Sequence, residues 1–291
     1  MDNQNAIEIN NLSKSYDGFH LDNVTFSIPK GSIMGFVGQN GSGKSTTIKA
    51  ILNIIKKDSG SIKIWGMDNI EHEKTIKNDI AVVFDEMPFS DVLNAKQINS
   101  VMSGLYSKWN TETYFQYLER FSLPIKKPIS QFSKGMKMKL QIAVALSHEA
   151  KLLIMDEPTS GLDPVTRSEM LDVFWDYIQD ENNTIFISSH ITSDLERIAD
   201  TITFIHNGKL LLTDNKDNIL NSHGIIKCSK DDIESIPTDN IVSIKITEHT
   251  TSVMVKDRNN PIYSDFIMDN TTLDEILLFY VRGINQMRWS V

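Results

Sequence analysis

Several runs of the chain are apolar at nearly every position: IMGFV (33–37), IAVVF (80–84), LLIM (152–155) and TIFIS (184–188). A strand with one face in water alternates apolar and polar residues. A run without alternation is buried on both faces, the habit of parallel strands covered by helices. Helical patterns fall between these runs, so the chain through about residue 215 predicts an α/β fold around a parallel sheet. Residues 7–30 alternate about the turn YDG and predict an antiparallel edge. Residues 95–121 are polar and aromatic with no β-run, and predict helices inserted between two core strands. After residue 215 the texture changes. IIKC, IVSIKI and TSVMV are short strands separated by the turns SKDD, TDN and DRNN, and LDEILLFYVRG (273–283) closes as a helix. Residues 216–291 are therefore expected to form a small α+β domain after a first domain at 1–215. The chain shows no internal repeat and no low-complexity tract.

Charge and composition narrow the function. A net charge of −9 argues against salt-driven binding to nucleic acid, which favours a basic face. The single cysteine, Cys228, allows no disulfide within the chain and fits a reducing compartment. The opening MDNQNAIEIN has neither the basic nor the apolar segment of a secretory signal, so none is expected. No apolar run approaches the ~18–20 residues of a membrane helix. A soluble chain able to dock on a membrane protein remains open.

The chemistry is concentrated at strand ends. GQNGSGKS (38–45) follows IMGFV and precedes the helical TTIKAILNII, the strand–loop–helix setting of a phosphate-binding loop. Glycines at 38, 41 and 43 let backbone amides close around phosphates. Lys44 adds a point charge, and the Ser45 hydroxyl is a hard ligand suited to Mg²⁺. A nucleoside triphosphate follows, without yet a family. LLIMDEP ends another buried strand with two acids: Asp156, placed to hold Mg²⁺, and Glu157, placed as general base for an attacking water. SGLDP (160–164) is a turn whose Asp163 can cap a helix or cross an interface. His190 ends TIFISSH and is expected to contact the γ-phosphate. FSKGM (132–136) opens a further helix: Ser133 is a favoured N-cap, Gly135 leaves amides uncovered, and the lysines at 134, 137 and 139 add positive charge. An anion is expected there.

In this order the motifs over about residues 5–215 resemble the nucleotide-binding subunit of ABC transporters. Residues 38–46 match that family's Walker A loop, which brings Gly38, Asn40, Gly41, Ser42, Gly43, Lys44, Ser45 and Thr46 to the nucleotide. Residues 152–157 resemble its Walker B strand, SGLD its D-loop and His190 its switch histidine, while FSKGM stands in the slot of its LSGGQ signature. The resemblance implies a P-loop NTPase with a RecA-like core sheet, an antiparallel β subdomain and an inserted helical subdomain at about 87–148. It implies ATP and Mg²⁺ as cofactors, and a head-to-tail dimer in which Ser133, Gly135 and Asp163 meet the ATP of a second subunit, a copy or a paralogue. It also implies a membrane permease as partner, at the cytoplasmic face of the membrane. Tyr16 matches the aromatic that stacks on adenine. The sequence departs from the family at two places. Lys134 replaces the usual first signature glycine, with Met136 in place of Gln, and Asp85 in FDEMPF replaces a Gln that helps bind Mg²⁺. The VFDE and SKGM variants and the closing helix resemble subunits from Gram-positive bacteria that handle antimicrobial peptides, lantibiotics or phenol-soluble modulins, so peptide export is expected. The rival classes fit less well. Ribosomal relatives usually carry two cassettes, DNA-repair relatives a long coiled coil, and a GTPase an NKxD motif.

Overall fold

The computed structural model describes residues 4–229, 231–247 and 250–287. Three sheets organise the described residues. The first is antiparallel, in the order β2-β1-β4-β5, from β1 (Asn5–Tyr16), β2 (Phe19–Pro29), β4 (Ser59–Ile64) and β5 (Met67–Asp68). The predicted hairpin about YDG is present, but β1 is interior: it pairs with β4 as well as with β2. The second sheet has the order β10-β9-β3-β8-β7-β6. Four of its strands are the unalternating runs of the sequence: β3 (Ile33–Val37), β6 (Ile80–Val83), β7 (Leu152–Asp156) and β8 (Thr184–Ser189). With β9 (Thr201–His206) they pair in parallel, and β10 (Lys209–Asn215) adds an antiparallel edge. Phe26 of the first sheet stacks on Phe36 of the second at 5.4 Å, and Phe36 meets Phe186 at 5.5 Å, so an apolar layer joins the two.

Helices α1 (Lys44–Ile51), α2 (Glu73–Asn78), α6 (Pro164–Ile178) and α7 (Thr192–Ile198) lie among these strands in sequence. Between β6 and β7 the chain inserts α3 (Ala95–Leu105), α4 (Thr111–Arg120) and α5 (Lys134–Ala145). Asn94 and Gln97 form a capping box on α3, and Asn110 caps α4, which fixes where the two predicted helices begin. Tyr114 is fully buried between them, its hydroxyl donating to Ala95 O at 3.0 Å. Helix α5 is tied to the sheet by one side chain. Buried Gln141 accepts from Phe84 N at 3.2 Å and donates to Phe84 O at 3.1 Å, closing the backbone just beyond β6.

The C-terminal part starts with α8 (Lys216–Ser222), capped by Asn215, and continues as an antiparallel sheet in the order β12-β13-β11-β14. Its strands are β11 (Gly224–Cys228), β12 (Ile241–Ile246), β13 (Thr251–Val255) and β14 (Ile267–Asp269). The closing helix α9 (Leu273–Met287) packs on β12 and on α7. Its first turn is fastened there by Leu273 N donating to Glu196 Oε1 at 2.6 Å.

Candidate active site

Because β3, β6, β7 and β8 run parallel, their C-terminal ends open on one edge of the sheet, where such folds bind ligands. A cavity of about 600 Å³ lies there, lined by Asn40, Gly41, Gly43, Lys44, Ser45, Thr46, Asp85, Asp156 and Glu157. That volume suits a nucleotide. The phosphate loop has no room for side chains at its start: a Cβ on Gly38 would meet Ile205 O at 2.4 Å and Ser42 Oγ at 2.5 Å. Gly43, with φ 114°, takes a backbone conformation that other residues resist, and from it α1 starts with its amides facing the cavity edge.

Lys44 is almost fully buried, and its ammonium donates to Gly38 O at 2.6 Å and Gln39 O at 3.2 Å. Glu157 answers its charge. Glu157 Oε1 lies 3.1 Å from Lys44 Nζ but has no hydrogen-bond partner, so the contact is ionic and off the hydrogen-bond direction. Glu157 Oε2 lies 2.6 Å from His190 Nδ1 and also accepts from His190 N at 3.3 Å. The carboxylate is therefore held between the phosphate-loop lysine and the histidine. Asp156 is fixed in turn by Ser188, whose hydroxyl donates to Oδ1 at 2.6 Å while accepting from Glu157 N at 3.2 Å.

The residues present fit a nucleotide with Mg²⁺. Glu157 Oε1 is a buried oxygen without a hydrogen-bond partner at the cavity, and Ser45, Asp85 and Asp156 offer hard oxygens around it. Among the described residues no cluster of three His, Cys, Asp or Glu side chains is placed to hold a metal by itself.

The other predicted residues form a second group. Ser133 caps α5, its hydroxyl accepting from Met136 N at 3.2 Å. Asp163 caps α6, accepting from Val165 N at 3.1 Å and Thr166 N at 3.0 Å, and the bond from the Thr166 amide holds its carboxyl below the usual carboxylate range. Together with Lys134, Gly135 and Thr166 they line a separate cavity of about 350 Å³. A Cβ on Gly135 would meet Thr166 at 3.4 Å, an ordinary contact, so no neighbour among the described residues demands a glycine there. The two cavities meet at one ion pair: Lys134 Nζ lies 3.2 Å from Asp85 Oδ1.

Tyr16 ends β1, half exposed, with the Lys14 ammonium 5.4 Å from its ring centre, and it does not line the nucleotide cavity. Phe19, its partner across the hairpin, does. The turn YDG carried the signal that could have found Phe19, since a two-residue turn sets the two aromatics opposite each other. Helix α9 is the other addition. Asp274, Leu277 and Leu278 share a cavity of about 230 Å³ with Gly38, Gln39, Asn40 and His190.

Residues 21–160 match the family described as ABC transporter. The bacitracin transport ATP-binding protein BcrA of Bacillus licheniformis is 39% identical over 211 residues, covering 70% of this chain and 68% of BcrA. The lantibiotic transport ATP-binding protein SrtF of Streptococcus pyogenes is 38% identical over 209 residues, covering 71% of this chain and 89% of SrtF. A solved ATP-binding subunit of an ABC transporter superposes with a TM-score of 0.67 at 28% identity, covering 74% of this chain and 91% of that one.

Proposed function

This chain belongs to the ATP-binding subunits of ABC transporters, and from that premise we propose that it powers the export of a peptide or other amphipathic substrate through a separate membrane permease. It is an ATPase, and the work is done by closing two such subunits, copies or paralogues, on ATP at the cytoplasmic face of the membrane. The peptide cargo is supported by the relatives named for bacitracin and lantibiotic transport.

The residues divide the task. Lys44 and the amides of the phosphate loop bind and orient the β- and γ-phosphates. Ser45, Asp85 and Asp156 would hold the Mg²⁺, which would neutralise charge on the phosphates when bound. Glu157 takes the proton of an attacking water, and His190 keeps its carboxylate aimed. Ser133 and Gly135 present the α5 N-terminus to the γ-phosphate of the second subunit.

The observation that carries the permease is an apolar cavity of about 320 Å³ that begins next to Asp85. Phe84, Pro88, Phe89, Leu105 and Tyr106 are among its walls. It lies where the inserted helices meet the core sheet, so a segment seated in it moves with the nucleotide site. The test is purification of the tagged chain from detergent-solubilised membranes. A co-purifying protein with several apolar helices is expected, together with ATPase activity that Lys44→Ala removes. Recovery with ribosomes, or from the soluble fraction alone, overturns the reading.

A further inference from the structure

The two main departures of this chain from its family are joined to each other. Lys134 and Asp85 form an ion pair at 3.2 Å with both side chains about half exposed, at 49% and 50%. Such an open pair is weak, shifting an equilibrium by a factor of about two to five. Its two ends belong to different half-sites. Asp85 faces the cavity of Lys44, Ser45, Asp156 and Glu157, while Lys134 faces that of Ser133, Gly135 and Asp163.

Helix α5 connects them mechanically. Gln141 stands two turns after Lys134, on the same helical face, and grips both backbone groups of Phe84, the residue before Asp85. The middle of α5 thus fixes the backbone at Phe84, next to Asp85, and its first residue supplies the countercharge of Asp85. The Lys134 side chain reaches Asp85 across Gly161, where an added Cβ would stand 3.2 Å from Nζ and 3.6 Å from Cδ. The Lys134 side chain thus lies over the SGLD turn, with its ammonium engaged by Asp85.

We propose that Lys134 and Asp85 form a latch between the two half-sites of one chain. Mg²⁺ arriving with nucleotide draws Asp85 away from Lys134, and the freed ammonium then serves the phosphates bound by the second subunit. This rests on the reading of the two cavities given under Proposed function. The argument is one of charge and exclusivity. A divalent cation outbids a single ammonium for one carboxylate, and a pair at hydrogen-bonding distance occupies the oxygen that the metal needs. The released lysine adds its charge to the positive end of the α5 dipole. Loading a subunit's own site and presenting its signature to the neighbour become coupled, in the sense of a coupling free energy between two sites.

The test begins with a fluorescent ADP analogue on the isolated subunit, at concentrations where it is a monomer. Loss of binding in Lys44→Ala establishes that the probe reports this site; a Lys44→Ala chain that still binds overturns the site reading and the latch with it. Lys134→Met keeps the length and helix preference of the side chain. It is expected to tighten Mg²⁺ on the nucleotide-bound monomer by about two- to fivefold. On an Asp85→Asn background the same substitution is expected to change nothing, which closes a double-mutant cycle. In a Glu157→Gln background at saturating Mg²⁺, where the gain in metal affinity no longer counts, size exclusion then reads the ATP-dependent dimer. There Lys134→Met is expected to raise the ATP concentration needed by a similar factor and to flatten its dependence on concentration. The latch is overturned if Lys134→Met leaves Mg²⁺ affinity unchanged, if it shifts affinity equally with Asn at 85, or if the dimer forms at the same ATP concentration.

Discussion

At Glu157 the backbone takes φ 54°, a left-handed conformation that costs a non-glycine residue about 1 kcal/mol or more. What offsets that cost is visible around it. The Glu157 amide donates to Ser188 O at 3.1 Å and to Ser188 Oγ at 3.2 Å, and the carboxylate is held by Lys44 and His190. The bend turns the side chain out of the line of β7 and back over the phosphate loop. Glu157→Gln keeps the size and the backbone contacts but cannot accept a proton. We expect nucleotide binding to persist and hydrolysis to slow by about 10²–10⁴, or ~3–5 kcal/mol of barrier. The uncleaved ATP should then trap a dimer visible by size exclusion. Near-normal turnover in this variant would refute the assignment of the base. The same strain was invisible in the sequence, because DEP reads as an ordinary strand end. The loop glycines, Lys44 and the strand-end acids were legible, since phosphate chemistry demands those residue types at that spacing.

Elements buried on both faces could be read directly, and those half in water could not. IMGFV, LLIMD and TIFISS became β3, β7 and β8, since short unalternating runs of this length suit strands covered on both faces. β10, KLLLTDN, is intermediate or exposed along its whole length, and β14 has three residues, so neither had a pattern to show. The polar, aromatic pattern of the inserted segment predicts its helices, and the structure divides the apolar residues there by role. Trp109 packs inward, its indole donating to Asn99 Oδ1 at 2.9 Å and its ring 5.2 Å from Tyr114. Phe89, Leu105 and Tyr106 instead line the open apolar cavity, with Leu105 67% exposed. Exposed apolar walls around a cavity favour a partner's apolar segment. Phe89→Asp places a charge there, and should weaken recovery of the permease and uncouple transport while nucleotide binding through Lys44 persists. Measuring nucleotide affinity and permease recovery on the same preparation checks it. An unchanged recovery places the docking surface elsewhere.

For the molecule as a whole, the sequence drew a boundary at residue 215, and a helix does begin there. The apolar core does not respect it. Leu195, Ile198 and Ile202 of the first part share one buried cluster with Ile219, Ile225, Met254, Leu273 and Ile276 of the second. What the third sheet keeps for itself is small, with Ile226, Ile236, Val253, Val255 and Tyr263 as its buried members. A core of that size cannot by itself offset the conformational entropy of ordering the described residues that follow 215. The amphipathic pattern of α9 was legible, but not that its apolar face would meet α7 beside His190. That pairing is made only by the folded chain. We therefore propose that the two parts unfold together. Calorimetry on the full chain is expected to show a single transition. Leu273→Ala, at a fully buried position, should cost about 2–5 kcal/mol and lower that transition by several degrees without splitting it. Because ADP binds only the folded chain, it should also slow amide exchange in β13, far from the phosphate loop in sequence. A chain ending at residue 215 loses the packing of α9 on α7, and is expected to aggregate or melt markedly earlier. Two resolved transitions, or a shortened chain as stable as the full one, would show instead that residues 216–291 form an independent domain.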